Sequence, residues 1–185
     1  MAVRFNTHDL FDALKTRALT LVQGSALYDM FLSHKTESRF IVELNDGWSG
    51  DSGRGRWLCN NALDCQGAVW KAQKNCLWDE NISAHPDHYA YLHSFEWLRD
   101  LKALGGDMGR SQARALIHEW ISRFHRLHHK SWRADLIGAR LSNWIKLYSF
   151  FGASADDHFQ DAFFKSLNKQ FKHLGRASTD NPSGL

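Results

Sequence analysis

The chain has 185 residues, 43% of them hydrophobic and 23% charged, with 23 basic and 20 acidic side chains and a formal net charge of +3. That is apolar material for the core of one ordinary domain, or of a piece of a larger one, and it excludes a disordered chain. Thirteen glycines and only two prolines, Pro86 and Pro182, exclude collagen-like and low-complexity readings and let helices run unbroken between the prolines.

Residues 1–38 read as a helical pair. Thr7 or Asp9 caps a helix with Phe11, Leu14, Ala18, Leu21 and Val22 on its apolar face; Gly24 ends it, and Ser25 opens a shorter one carrying Leu27, Met30 and Phe31. Residues 39–86 change character. A β-leaning Phe40-Ile41-Val42 leads into a glycine-rich stretch, 46–56, that reads as a surface loop. Trp57-Leu58-Cys59 and Ala68-Val69-Trp70 then read as the strands of a small hairpin, flanking Asn60-Asn61 and Gln66-Gly67.

Residues 87–175 read as helical hairpins. Asp87 starts one helix presenting Tyr91, Phe95, Leu98, Leu101 and Leu104, which Gly105-Gly106 stops. Asp107 caps the next, where Ala113, Leu116, Ile117, Trp120, Ile121, Phe124 and Leu127 give the strongest helical period in the chain. Asp135 opens a third, with Ile137, Leu141, Trp144, Ile145 and Tyr148 inward and Gly152 as its stop. Ser154-Ala155-Asp156-Asp157 resembles a capping box for a fourth, whose stripe is Phe159, Phe163, Leu167, Phe171 and Leu174. Connections this short force neighbouring helices to pack antiparallel. The polar residues 178–185 read as a disordered tail.

Charge is uneven along the chain. Between Arg110 and Arg140 there are seven basic residues against Glu119 and Asp135, so 7 − 2 = +5 locally, and the window also holds His118, His125, His128 and His129. No stretch approaches the roughly 18 uncharged residues of a membrane span, and the N-terminus has no signal-peptide run.

Few residues offer chemistry. The loop Gly50-Asp51-Ser52-Gly53-Arg54-Gly55-Arg56 lacks both phosphate-cradle orders. His125, His128 and His129 have helical spacing but no nearby carboxylate or thiolate, and they read as a helix C-terminus rather than a metal site. Cys59, Cys65 and Cys76 lack zinc-ligand spacing, and their odd number argues against a closed disulfide framework. No metal or cofactor is expected. Trp132, Arg133 and Arg140 can converge near a helix N-terminus as an anion and sugar-ring platform; the competing reading is an Arg–Asp135 pair and a Trp wedged between hairpins. His93, Trp97, Arg99 and Asp100 are weaker candidates, partly off the apolar stripe and expected to be solvated there.

The ordered motifs His93-Ser94-Phe95-Glu96-Trp97-Leu98-Arg99-Asp100-Leu101, Gly105-Gly106-Asp107 and Trp132-Arg133-Ala134-Asp135-Leu136-Ile137-Gly138-Ala139-Arg140-Leu141, with Trp144, resemble the N-terminal helical domain of heparinase II/III family proteins over about residues 48–177. The resemblance implies a mainly α fold, a partial α/α toroid spanning 1–177 with an irregular or hairpin insertion near 40–75. It implies a polysaccharide lyase that cleaves uronic-acid-containing glycans by β-elimination, commonly in the periplasm. Such enzymes use an Asn-like neutraliser with Tyr and His as proton movers; these, and a β-sandwich, are expected beyond the present residues, so no catalytic residue is assigned and no activity is expected from this chain alone. An acidic polysaccharide is the expected partner, with Trp132, Arg133, Arg140, His93 and Trp97 lining its groove. Faces at Phe163 and Phe171 are expected to be left open for further toroid helices or self-association. A non-catalytic polyanion-binding module is the alternative. Nucleic acid is disfavoured, since the strongest helix turns Trp120 and Phe124 inward.

Overall fold

The computed structural model describes residues 40, 44, 46–65, 67–72, 76–78, 86–127 and 130–179. The expected helical pair at 1–38, His128 and His129, and 180–185 lie outside the described residues. What is described is mainly helical, with one small two-stranded antiparallel sheet: α1 (Ser52–Cys59), β1 (Ala62–Cys65), β2 (Ala68–Lys71), α2 (Pro86–Ser94), α3 (Leu98–Leu104), α4 (Gly106–Phe124), α5 (Ala134–Phe151) and α6 (Asp157–Thr179). Among the described residues no helix is long and apolar enough to cross a membrane.

The glycine-rich stretch is not a surface loop throughout. Asp51 caps α1, its side chain accepting from the Arg54 amide at 3.0 Å, and the helix runs through Trp57-Leu58-Cys59, so those residues are not a strand. The hairpin instead pairs Ala62 with Lys71 and Cys65 with Ala68. Its turn is where the sequence placed one: Gly67 takes φ 88° and its amide donates to Asp64 Oδ1 at 2.9 Å. Two of the glycines before it serve close packing. A Cβ on Gly50 would lie 2.1 Å from the Arg99 carbonyl oxygen, and one on Gly55 would lie 2.4 Å from that of Asp100, so α1 docks directly on the α3 backbone.

The single helix expected from Asp87 to Leu104 is broken at Phe95, which takes φ 62°. This conformation costs a non-glycine residue on the order of 1 kcal/mol or more. Core burial offsets it: the Phe95 ring is fully buried, 4.9 Å from Trp97, 5.2 Å from Trp144 and 5.4 Å from Trp78. The Trp97 indole donates to the Leu92 carbonyl at 2.9 Å, taking an acceptor that a continuing helix would have used.

From Gly106 onward the sequence pattern and the fold agree. Ala113, Leu116, Ile117, Trp120 and Ile121 of α4 are buried, as are Ile137, Leu141 and Trp144 of α5, and Gly152 closes α5. The first turn of α4 differs, since no side chain caps it and Asp107 pairs with Arg110 at 2.8 Å. At the start of α6, Asp156 accepts from the Phe159 amide at 2.7 Å, while Ser154 takes a hydrogen bond from Arg114, so the cap is Asp156 rather than a Ser154 box. α6 continues to Thr179, two residues into the expected tail. Phe163 is fully buried against Trp144, Tyr148 and Phe151, not open as expected; Phe171 is half exposed and leaves the buried stripe. Aromatic side chains therefore fill a layer between α2, α4, α5 and α6, in which Trp120 and Trp144 meet edge to face at 5.5 Å.

Close approach of α1 to α3 makes a direct prediction. Gly55→Ala should destabilise the protein by about 1–3 kcal/mol through overpacking, whereas Gly138→Ala, with nothing within 4 Å in α5, should be neutral or stabilising by up to about 1 kcal/mol. Urea unfolding of both variants checks this, and equal midpoints would contradict the docking.

Candidate functional site

Ending α2 at Phe95 leaves carbonyls at its C-terminus without helical donors, and α5 supplies them. Arg140, fully buried, donates from Nη1 to the His93 carbonyl at 2.9 Å, from Nη2 to the Ser131 carbonyl at 3.1 Å and from Nε to Gln170 Oε1 at 2.6 Å. One turn on, Asn143 donates to the Ser94 carbonyl at 2.9 Å. The guanidinium also lies 4.2 Å from the centre of the Trp120 ring. These hydrogen-bond partners are all uncharged, and burial pulls its pKa down to about 9, so it stays protonated at neutral pH.

Around this centre His93 is 3% exposed, and its Nδ1 accepts from the Trp120 indole at 3.0 Å. That bond places the ring hydrogen of a neutral His93 on Nε2. Trp132, also 3% exposed, donates to the Phe124 carbonyl at 3.0 Å and meets His173 edge to face. Trp97 is fully buried. Arg133 alone of the five expected groove residues faces solvent, forked onto Asp135 at 3.1 and 2.5 Å. Trp132, Arg133 and Arg140 thus share no concave face. The Arg133–Asp135 pair with a wedged Trp132 is the arrangement found, because backbone carbonyls and aromatic faces satisfy these side chains without a ligand.

A second polar cluster joins α1 to α3. Asp100, expected to be solvated, is 5% exposed; it accepts from the Asp51 amide at 2.7 Å and from the Tyr91 hydroxyl at 3.4 Å, with Arg54 at 3.8 Å. Burial pushes its carboxyl above the usual carboxylate range and raises the Tyr91 phenol as well. Arg99, also expected to be solvated, holds the buried Asp46 at 2.6 Å. These contacts fasten the glycine-rich segment down.

Two clefts among the described residues are open to the surface. One, of about 350 Å³, lies between α2 and α5 with Asp87, Tyr91, Glu96 and Asp135 on its walls. The other, of about 230 Å³, lies between α4 and α6 and is lined by Ile121, His125, Ala162, Lys165, Ser166 and Lys169. Sequence reasoning passed over Lys165, Ser166, Lys169 and Gln170. Their signal was the i, i+1, i+4, i+5 spacing on the polar flank of α6, which gains meaning only once α4 lies against it. Among the described residues no group of three or more His, Cys, Asp or Glu could hold a metal ion. No family model matches the chain, and no curated protein or solved structure matches it.

Two measurements follow from the buried centre. Arg140→Leu strands the His93, Ser131 and Gln170 acceptors, at about 1–3 kcal/mol for a buried group left unsatisfied, so a loss of roughly 3–5 kcal/mol is expected in denaturant unfolding, with Arg140→Lys recovering only part. Burial also lowers the pKa of His173, against a hydrogen bond to the Trp132 backbone. The unfolded state then binds the proton more readily, so His173 should cost stability as pH falls through about 6.5. His173→Phe should flatten that acid limb in thermal melts across pH 5–8; an unchanged slope would place the titration elsewhere.

Proposed function

We propose that this chain is the N-terminal helical portion of a heparinase II/III-like polysaccharide lyase acting on acidic, uronic-acid-containing glycans, its hairpins forming part of an α/α toroid. One observation carries the reading: the separate motifs on which the resemblance rests become neighbours around a single buried centre. Arg140 of the last motif holds the His93 carbonyl of the first, and Phe95 packs 5.2 Å from Trp144. Ordered motifs that jointly build one interior are what membership of a common fold requires. The +5 window and the donor-lined cleft between α4 and α6 support an anionic partner.

β-Elimination needs a carboxylate neutraliser, a base and an acid held together. Three side chains of suitable chemistry, His93, Tyr91 and Tyr148, are engaged within the fold. His93 Nδ1 accepts from Trp120, the Tyr91 hydroxyl faces Asp100, and Tyr148 packs against Phe163 at 5.4 Å with its phenol pushed up by burial. This occupancy favours the second reading, a non-catalytic polyanion-binding module, for the chain taken by itself. The half-exposed Phe171 on α6 would then be covered by further toroid helices or by a second copy.

The purified chain should bind heparin-derived or alginate oligomers in calorimetry, with affinity falling as salt rises, and should form no unsaturated uronate by absorbance. Sustained product would overturn the non-catalytic reading. Absence of binding to every uronate oligomer at low salt would overturn the acidic-glycan reading itself.

A further inference from the structure

α4 and α6 meet along a seam although α5 separates them in the chain, and Ile121 and Ala162 line its cleft together. One turn before Ile121 on α4 stands His118, and one turn before Ala162 on α6 stands His158; their ring centres are 5.7 Å apart. His158 is exposed and His118 half-buried, so solvent reaches the pair. Neither imidazole makes a hydrogen bond or ion pair among the described residues. The bond that reaches His118 from Ser122 Oγ, at 2.9 Å, ends on its carbonyl. Ile117 and Phe159, the chain neighbours of the two histidines, are buried in the core, so the rings are carried on fixed helices rather than on loops. A search for helical spacing within one segment finds His125, His128 and His129 but not this pair, whose members meet only when α6 lies against α4.

Two neutral imidazoles gain little from each other, and protonation of both sets like charges side by side. An ion that accepts a lone pair from each ring uses the arrangement fully. With a metal–nitrogen bond of about 2.0–2.1 Å, two imidazoles on one ion have ring centres about 4.5–6.5 Å apart as the angle at the ion opens from a right angle to a straight line, and 5.7 Å falls inside that span. The surroundings favour a cation. Asp157 and Asp161 flank His158 on α6, both exposed and neither in an ion pair among the described residues. Arg114, one turn before His118, is engaged by the Phe151 carbonyl at 2.6 Å and Ser154 Oγ at 2.7 Å, and Lys165 lies two turns beyond His158, about 10 Å along the helix. Among the described residues no carboxylate or thiolate joins the two rings closely enough to make a group of three, so water completes the shell.

We propose that His118 of α4 and His158 of α6 together bind a divalent first-row transition ion, zinc, nickel or copper(II), through one ring nitrogen each, and that the ion clamps the two helices across their seam. The site stands apart from the acidic-glycan reading and does not depend on it. Its ligands come together only in the folded chain, so the ion binds that state and raises its melting temperature. Copper(II) binds most tightly of the three, while magnesium and calcium, which take oxygen ligands, are passed over.

The full chain, stripped with a chelator that is then dialysed away, is titrated by calorimetry with zinc, nickel, copper(II) and magnesium salts, and melted with and without zinc. His118→Ala and His158→Ala are compared with His125→Ala, an exposed histidine at the end of the same α4, after far-ultraviolet dichroism has shown all three folded. His118→Ala and His158→Ala should each weaken zinc binding about tenfold or more and remove the zinc-induced rise in melting temperature, whereas His125→Ala should change the affinity less than about twofold. In a long-range ¹H–¹⁵N spectrum of the unmodified chain, zinc should move the ring signals of His118 and His158 together. Zinc affinity unchanged in either of the first two variants would overturn the pair as the site. So would a spectrum in which other histidine signals move while these two stay, or failure of the unmodified chain to bind any of the three transition ions. A magnesium response as strong as that to zinc would overturn ligation by nitrogen.

Discussion

The fold turns on one buried guanidinium. Arg140 projects from the middle of α5 into a layer of tryptophan and phenylalanine, where an unpaired charge would be costly, and it is tolerated because three acceptors from three segments meet it. The two backbone acceptors are free because the chain leaves helical geometry at Phe95 and again before α5, and the third is the Gln170 side chain of α6. The helix break, the buried arginine and the stacked Trp120 are therefore one device. Hydrophobic burial supplies the bulk of the stabilisation, while the polar centre fixes which helix ends meet α5 and at what height.

That arrangement determines what remains on the surface. With α2 tied to α5 through His93 and Ser94, α6 covers the other side of α5 and meets α4 along a seam. Gln170 and Ser166, one turn apart on α6, share the face turned to Arg140, while Lys169 reaches the His125 carbonyl at the end of α4. The glycine-rich segment before α1 serves a different end, docking against α3 through Gly50, Gly55 and the Asp100 carboxylate.

The sequence was readable where helical period alone decides the outcome. The stripes of α4 and α5 and most of that of α6 were plain, since apolar residues at i, i+3 and i+4 leave one buried face. It misled where a tertiary contact outweighs local preference. Phe95 continues an unbroken apolar stripe, so only the four aromatic rings around it explain its left-handed backbone. Gly50 to Arg56 looks like a loop because glycine marks turns, yet here its missing side chain lets two backbones touch. Arg140 was read as a groove residue, because residue type does not say whether a guanidinium seeks a ligand or the carbonyls of a broken helix. The cleft stayed hidden because its lysines and serine come from α6 and their meaning from α4, two elements separated by α5.

The central claim is that the buried arginine organises the helices by holding backbone carbonyls freed where the chain leaves helical geometry. A ¹H–¹⁵N spectrum of the Arg140 Nε and Gln170 Nε2 groups addresses it most directly. The account predicts an Arg140 Nε–H signal that exchanges slowly with water, with the Gln170 Nε2 protons protected alongside it. A rapidly exchanging Arg140 signal would contradict it.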